Sequence, residues 1–284
     1  MFTGLLVKEK DMAANTVEKE VLLEGIENPI GTDGFEFIEF ATTKPDELYK
    51  TFETFGFQVK GTHPSRKLTL MAQDGTRLII NSEPESYAYQ YAQKHGHSMV
   101  SQGYKVKDAK HAFEEAVRRG ATPFESWLKK DGDLNLPAIY GVGDALIYFV
   151  DDEGMKTLYE KDYVPNPNYD PNKEIGLNFI DHLDHNVDKG HLAKYEKFYK
   201  EVFNFQEVRY WDLKGKETGI NSMAFLSPCG KILIPVVQSS VGNSYVQEYV
   251  DLYHGEGIQH IAFYCNDICK TIETLRSRGQ TFSE

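Results

Sequence analysis

The apolar and polar positions of the chain repeat one arrangement of secondary-structure elements four times. In each copy a short apolar run typical of a β-strand precedes an amphipathic helix, whose apolar residues recur every three or four positions, and further strands follow. Asp108 and Asp267 are predicted to cap two of these helices, and Gly120 and Gly279 to end them. The pattern therefore predicts an α+β fold built from βαβββ units.

The second and fourth copies align without gaps through a strand, a helix cap and a helix end. Matched positions in these two copies are Tyr104 with Phe263, Asp108 with Asp267, Arg119 with Arg278 and Gly120 with Gly279. In the first and third copies, residues 37–40 match residues 179–182. A constant offset over several elements indicates an internal repeat. We therefore expect two domains of paired βαβββ units, with the fourth unit incomplete.

Composition shifts along the chain predict its domain boundaries. The predicted segments are an N-terminal lead, partly disordered, at residues 1–30; a scaffold domain at 31–160; a linker rich in Asp, Pro and Asn at 161–175; and a catalytic domain, truncated in its second unit, at 176–284.

Overall composition limits the classes of partner. The chain is 40% hydrophobic and 26% charged, which is ordinary for a globular protein. Its net charge of −12 argues against a nucleic-acid partner or an anionic membrane, because phosphate would repel its surface. No apolar run is long enough to span a membrane, and the N-terminus does not resemble a signal peptide. Three cysteines without a metal-binding spacing predict free thiols in a reducing, cytoplasmic setting.

Two histidines carry the most specific chemistry in the sequence. His182 and His260 each lie in a strand-like run, at positions where the repeat predicts neighbouring strands. Two imidazoles supply two-thirds of a 2-His-1-carboxylate site, the usual holder of non-heme Fe(II). The equivalent N-terminal positions are predicted to be Phe40 and Ser101, which do not replace an imidazole as iron ligands. A metal site is therefore expected only in the C-terminal half.

Other polar residues have simpler interpretations. His185 lies three residues after His182, on the opposite face of the strand, and is expected to be structural. Asp181 and Asp184 either orient an imidazole or are solvated acids. Residues given only surface or core roles are His95, His97 and His254 in turns or loops, Asp144 and Glu153 on the surface, and Tyr195, Phe198 and Tyr199 in a helix core.

Several stretches in order resemble the bacterial 4-hydroxyphenylpyruvate dioxygenase family over residues 27–284. The stretches that carry this resemblance are residues 34–40, 135–139, 180–187, 198–199 with 203–205, 209–210 and 255–263. The resemblance implies the vicinal-oxygen-chelate fold, which is shared with glyoxalases and extradiol dioxygenases.

The resemblance also implies Fe(II) as the cofactor, with His182 and His260 as ligands. In that family the third ligand is a glutamate on a strand near the C-terminus, and no glutamate of residues 1–284 matches it. We therefore expect the 284-residue chain to be inactive or nearly so, and the natural protein to be longer. The resemblance further implies a homo-oligomer, either a dimer or a tetramer.

The implied reaction takes a small 2-oxo acid, 4-hydroxyphenylpyruvate, and O2 to homogentisate in tyrosine catabolism. Ser222 and Gln259 match substrate-binding positions of the family, although Gln259 needs a bulge or strand twist to reach the pocket because His260 follows it directly. Val237 and Tyr245 depart from the family pattern, since the family has amide side chains at these two positions. The loss of two amides weakens polar recognition of the substrate.

Four alternative functions are considered. They are a 4-hydroxymandelate synthase, another 2-oxo-acid dioxygenase, a non-catalytic fragment of the same fold, and a glyoxalase-like lyase. The lyase would need ligands in the N-terminal half, and Phe40 and Ser101 argue against it.

Overall fold

Two β-sheets form the framework of the protein. The computed structural model describes residues 23–125, 132–214, 219–241 and 244–282, with only the backbone of residues 210–214. The strands of the first sheet are β1 (Thr32–Ala41), β2 (Gln58–Thr62), β3 (Leu68–Gln73), β4 (Thr76–Asn81), β5 (Ser98–Val106), β6 (Ala138–Tyr140), β7 (Leu146–Val150) and β8 (Val164–Pro165). Their order in the sheet is β6-β7-β5-β1-β4-β3-β2-β8.

The second sheet has five strands within the described residues. They are β9 (Leu177–Val187), β10 (Gln206–Lys214), β11 (Gly219–Leu226), β12 (Leu233–Val241) and β13 (Gly257–Cys265). Their order is β10-β11-β12-β9-β13, which places β9 and β13 side by side.

Seven α-helices pack against or connect these strands in the described part of the chain. They are α1 (Pro45–Thr54), α2 (Tyr87–His95), α3 (Ala109–Arg118), α4 (Asp152–Lys156), α5 (Leu192–Phe203), α6 (Tyr245–Tyr253) and α7 (Ile268–Ser277). The predicted caps are present: the carboxylates of Asp108 and Asp267 accept the backbone N–H groups of His111 and Lys270, each at 2.9 Å. Helix α2 was not expected from the sequence.

The two halves share one strand topology, which confirms the α+β fold of repeated units. Strand β1 pairs parallel with β4 and antiparallel with β5. Strand β9 pairs in the same way with β12 and β13. Each half thus places the first strand of one unit beside the first strand of the next.

Strand register corrects the predicted match between the first and third units. His260 is opposite Asp184, and its counterpart Ser101 is opposite Glu39. His182 is opposite Ala262, whose counterpart Gly103 is opposite Phe37. The counterpart of His182 is therefore Phe37, and the expectation of Phe40 was wrong by three positions. A phenylalanine occupies either position, so the N-terminal half still lacks this ligand.

The segment predicted as a linker is partly bound to the first sheet. Val164 and Pro165 pair with β2 at Thr62 and Gly61. The predicted N-terminal lead lies outside the described residues as far as residue 22, and residues 28–31 already make turn contacts with β1.

Helix α5 carries the aromatic core that the sequence predicted. Tyr195 and Tyr199 are 2% and 0% exposed, and Phe198 packs partly buried against the same cluster. At the end of the helix, the ring of Phe203 contacts Tyr104 of the first sheet, with ring centres 5.6 Å apart. The two sheets therefore share core contacts through this helix.

Two further properties of the chain follow from the described residues. None of the helices there combines the length and apolar composition that a membrane-spanning helix needs. No disulfide joins Cys229, Cys265 and Cys269, as the sequence predicted.

Candidate functional site

The two histidines singled out in the sequence lie together on adjacent strands. His182 on β9 and His260 on β13 have ring centres 5.6 Å apart and planes inclined by 76°. With metal–nitrogen bonds of about 2.1 Å, two imidazoles on one ion have ring centres roughly 4.5–6 Å apart. The spacing therefore fits two imidazoles that share one ion.

Hydrogen bonds fix which nitrogen each imidazole can offer. Nδ1 of His182 lies 2.8 Å from Oδ2 of Asp181, and Nδ1 of His260 contacts Oε1 of Gln259. A carboxylate or amide oxygen accepts, so each Nδ1 carries the proton and each Nε2 keeps its lone pair. Metal-bound histidines are held in the same way by an acceptor on the other nitrogen. The donor set therefore fits a metal bound through both Nε2 atoms.

A β-bulge sets the orientation of Gln259. Ile258 is opposite His185 and His260 is opposite Asp184, so Gln259 is the extra residue on β13. A bulge turns side chains away from strict alternation. It brings the Gln259 amide to the His260 ring, and this contact with the imidazole was not among the sequence expectations, which gave Gln259 a substrate role.

Burial and mutual repulsion keep His260 neutral. Burial and, to a smaller extent, the neighbouring His182 lower the pKa of His260 to about 4. Metal binding needs an unprotonated imidazole. His260 is therefore in its ligand form near neutral pH.

The two aspartates of β9 differ in their surroundings. Asp181 is 42% exposed, and its carboxylate accepts a hydrogen bond from Nδ1 of His182, so it orients that imidazole. Asp184 follows His182 by two residues and shares its face of the strand. Burial raises the pKa of Asp184 to about 7, and the nearby His182 opposes this shift.

A row of buried side chains crosses the same face of the sheet. Ser222 is opposite Val237, and Val237 is opposite Asn186, so all three project to the side of His182. Ser222, Val237 and Asn186 are 6%, 4% and 1% exposed. Neither polar atom of the Asn186 amide has a hydrogen-bond partner among the described residues. A buried amide without a partner indicates a place for a polar ligand, and Asn186 was not a sequence candidate.

Tyr245 opens helix α6, beside this face. Its side chain is 60% exposed. Burial of the hydroxyl raises the pKa of Tyr245, and the charge of Asp184 raises it further. Tyr245 is therefore within electrostatic range of Asp184, at the position where the family was expected to have an amide.

His185 points away from the candidate site. Its side chain is fully buried, and Nδ1 lies 3.1 Å from the Tyr199 hydroxyl of α5. Burial lowers the pKa of His185 to about 3, so the ring is neutral. The predicted structural role for His185 agrees with this position.

Tyr199→Phe is expected to lower the free energy of unfolding by about 1–3 kcal/mol, because it leaves the buried Nδ1 of His185 without a partner. Urea unfolding monitored by circular dichroism measures the change. Tyr89→Phe, at a half-buried position of α2, is the matched control. Equal stability of Tyr199→Phe and the parent would show that this contact contributes nothing.

A second polar cluster lies where β9 ends and β13 begins. Ligand atoms of Asp188, His191 and Glu256 lie within 4.8 Å of one another. Glu256 is 8% exposed, and its oxygens accept from the Asp188 N–H at 3.0 Å and from the Tyr195 hydroxyl at 2.5 Å. His191 Nδ1 lies 2.7 Å from the same carboxylate. These bonds already satisfy the carboxylate, so we interpret the cluster as a structural junction. Sequence patterns gave no sign of it.

The remaining predicted residues lie apart from the two imidazoles. His95 ends helix α2, with Nδ1 2.6 Å from the Tyr253 carbonyl oxygen, and His97 contacts Thr42 and Glu47. His254 is the C-cap of α6. Glu153 is exposed and pairs with Lys161 at 3.2 Å.

Comparison with known families gives one match for each half of the chain. A family described as hydroxyphenylpyruvate dioxygenase, N-terminal, matches residues 26–164. The glyoxalase/bleomycin resistance protein/dioxygenase superfamily matches residues 179–284. A solved variant of 4-hydroxymandelate synthase from Streptomyces coelicolor has a TM-score of 0.74 at 18% identity, over 87% of this chain and 76% of that one. At this identity the likeness supports the fold alone.

Two relatives with high coverage show the family to which the chain belongs. A 4-hydroxyphenylpyruvate dioxygenase of Legionella pneumophila (strain Corby) is 41% identical over 255 residues, which span 90% of this chain and 72% of the relative. Hemolysin VllY of Vibrio vulnificus is 39% identical over 264 residues, or 90% of this chain and 73% of the relative. The chain belongs to the 4-hydroxyphenylpyruvate dioxygenase family and is a non-heme iron dioxygenase of that type.

Proposed function

We propose that this protein converts 4-hydroxyphenylpyruvate and O2 to homogentisate and CO2, with Fe(II) held by His182 and His260. The observation that carries the proposal is the pair of imidazoles whose Nε2 atoms are left free by bonds to Asp181 and Gln259. When bound there, Fe(II) would supply O2 activation and the chelating position for the 2-oxo acid group.

The protein's own residues would bind and orient the substrate. Ser222 and Asn186 offer a hydroxyl and an amide on one buried row beside the imidazoles. The aliphatic Val237 between them packs against the ring and excludes water from it. Gln259 holds the His260 ring through Nδ1 and adds a second amide near the site. We infer that Ser222 and Gln259 contact the substrate, as their family positions imply.

Product analysis tests the proposal. Purified protein is incubated with Fe(II), ascorbate, 4-hydroxyphenylpyruvate and O2, and the products are separated against standards while O2 uptake is measured. For protein that also carries the family's carboxylate ligand, homogentisate with equal consumption of O2 is the expected result, whereas residues 1–284 alone are expected to turn over little or not at all. Fe(II)-saturated protein with all three ligands that consumes no O2 with this substrate would contradict the proposal.

Formation of 4-hydroxymandelate is the second candidate, and Val237 is the observation that favours it. The family position implied an amide there, and Val237 places an aliphatic side chain between Ser222 and Asn186. The two products have the same atomic composition. They differ in whether the ring is hydroxylated with migration of its side chain or the benzylic carbon is hydroxylated without migration. Chromatographic separation of homogentisate from 4-hydroxymandelate in the same assay decides between the two. An unrelated 2-oxo acid as substrate would give neither product.

Val237→Asn is expected to tighten binding of 4-hydroxyphenylpyruvate by about 2- to 10-fold, since it adds one hydrogen bond beside Ser222 and Asn186. Calorimetry on Fe(II)-loaded protein without O2 measures the dissociation constant and does not need turnover. Val237→Ile, which changes size without adding an amide, is the control. Weaker binding by Val237→Asn than by Val237→Ile would contradict a polar subsite at this row.

We also infer a homo-oligomer, either a dimer or a tetramer, because the family resemblance implies one. Sedimentation velocity at several protein concentrations tests this, and a monomer at all of them would contradict it.

A further inference from the structure

Helices α2 and α6 are counterparts in the two halves of the chain. Each has nine residues, each begins after a serine that caps it, and each comes shortly before one of the counterpart strands β5 and β13. Aligned from their caps, both helices have tyrosine at the first and fifth positions. Tyr91 and Tyr249 are therefore equivalent, and so are His95 and Tyr253, which end the two helices.

These four rings form one aromatic stack across the boundary between the halves. Its rings follow in the order Tyr91, His95, Tyr253 and Tyr249, with successive ring centres 4.4, 4.5 and 4.9 Å apart. The equivalent residues His95 and Tyr253 meet at its centre, as expected where an approximate twofold axis relates two units. Nδ1–H of His95 also donates to the Tyr253 carbonyl oxygen at 2.6 Å, which satisfies a carbonyl at the end of α6. The N-terminal half thus holds the end of α6 by a ring contact and a hydrogen bond.

The last ring of the aromatic stack reaches the strand that carries His260. The Tyr249 hydroxyl donates to the carbonyl oxygen of Ile258 at 3.2 Å. Gly257 leaves room for this approach, because a Cβ there would lie 3.0 Å from the Tyr249 hydroxyl and 2.4 Å from the Tyr253 ring. The two tyrosines therefore pack directly against the start of β13.

The carbonyl that Tyr249 binds belongs to the peptide group that leads into the β-bulge. A peptide group is planar, so the direction of the Ile258 carbonyl also fixes the direction in which the chain enters Gln259. Gln259 is the extra residue of the bulge, and its amide oxygen contacts Nδ1 of His260. The extra residue of a bulge is unpaired in the ladder, so few other bonds hold it. The bond at Ile258 therefore bears on which nitrogen of His260 is left free.

We propose that Tyr249 is a positioning residue for His260, and that His95 of the N-terminal half holds Tyr249 in place through the aromatic stack. The Tyr249 hydroxyl fixes the bulge, the bulge aims the Gln259 amide at Nδ1 of His260, and Nε2 is then free for a metal. The inference rests on the proposed function for the metal role of His260, whereas the orientation of its ring does not depend on a bound metal. It gives the N-terminal half, which lacks counterparts of the two histidines, a part in shaping the site.

Nitrogen NMR of the metal-free 284-residue chain tests the inference without turnover. Histidines labelled with nitrogen-15 show which ring nitrogen is protonated, and His260→Gln identifies the signals of His260. Tyr249→Phe removes only the hydroxyl and keeps the ring in the aromatic stack. Tyr89→Phe, at a half-buried position of α2, is the matched control. Circular dichroism and thermal unfolding show that each variant is folded.

The parent is expected to show His260 protonated at Nδ1. In Tyr249→Phe we expect a mixture with protonation at Nε2, because Gln259 is no longer held in one position. Calorimetric titration with Co(II) should show binding weakened by about 3- to 10-fold, which is less than the 10- to 100-fold usual for losing a direct partner of a metal ligand. Tyr89→Phe should match the parent in both measurements.

Two further variants test the contribution of the N-terminal half. His95→Ala removes a central ring of the aromatic stack and the bond to the end of α6, so it should change protonation of His260 in the same direction as Tyr249→Phe. His97 lies two residues further along and contacts Glu47 of α1 instead. His97→Ala is therefore the matched control and should leave protonation of His260 unchanged.

The outcomes separate this inference from the proposed function. A folded Tyr249→Phe with parental protonation of His260, and with Co(II) affinity within about twofold of the parent, would overturn the positioning role. An effect of Tyr249→Phe without any effect of His95→Ala would overturn the part assigned to the N-terminal half. If Tyr249→Phe changes protonation of His260 while His260→Gln binds Co(II) as tightly as the parent, the positioning role stands and the proposed metal site fails.

Discussion

His182→Ala is expected to weaken Fe(II) binding by about 100-fold or more and to reduce dioxygenase turnover below detection. Loss of a residue that only supports a metal ligand already costs 10- to 100-fold in affinity, and His182 is proposed as a ligand itself. The free Nε2 of His182 has no second imidazole to replace it, since His185 lies on the opposite face against Tyr199. Anaerobic titration with Fe(II) measures the affinity, and O2 uptake with 4-hydroxyphenylpyruvate measures turnover.

A surface histidine provides the control for this experiment. His111 lies exposed on α3, in the N-terminal half, where its Nε2 contacts the Pro29 carbonyl oxygen. His111→Ala should leave Fe(II) affinity and turnover unchanged. Equal Fe(II) binding by His182→Ala and the parent would remove His182 from the metal site.

The sequence was sufficient to bring the two histidines together. Each lies in an apolar strand run, and the repeat predicted that the two runs pair, which β9 and β13 confirm. The predicted caps at Asp108 and Asp267 are also present. These features depend on local pattern and on a long, ungapped internal match, both of which are readable from one chain.

The sequence did not determine the register between strands with the same certainty. The first unit contains phenylalanines at positions 37 and 40, so a motif match to His182 could slide by three residues without loss of similarity. Only the cross-strand partners decide between the two phenylalanines. Phe37 is opposite Gly103, just as His182 is opposite Ala262, the counterpart of Gly103. The row of Ser222, Val237 and Asn186 was hidden for the same reason, because it joins three strands far apart in sequence.

Side-chain direction at irregular positions was the other limit. A bulge was recognised as necessary for Gln259, but its contact with His260 depends on how β13 departs from alternation. Glu256 gave no signal, since a buried carboxylate is identified by its partners Tyr195 and Asp188 and not by spacing. Helix α2 was missed because Ser86, which caps it, follows a run of turn-forming residues.

Phe203→Ala is expected to lower the free energy of unfolding by about 3–5 kcal/mol, the usual cost of removing a large aromatic side chain from a core. Phe203 is fully buried at the end of α5, and its ring centre lies 5.6 Å from Tyr104 and 6.3 Å from Phe149, both in the first sheet. It also lies 5.3 Å from Phe205 in its own half. The cavity would therefore open between the two sheets.

Because Phe203 contacts both halves, its loss should destabilise them together. Chemical unfolding of Phe203→Ala is expected to keep one transition at a lower midpoint, whether it is followed by circular dichroism or by tryptophan fluorescence. Phe179→Ala is the matched control, since Phe179 is 49% exposed on β9 and should cost less than about 1 kcal/mol. If Phe203→Ala instead separates unfolding into two transitions, with one unchanged from the parent, the halves are independently stable and this aromatic contact is not what couples them.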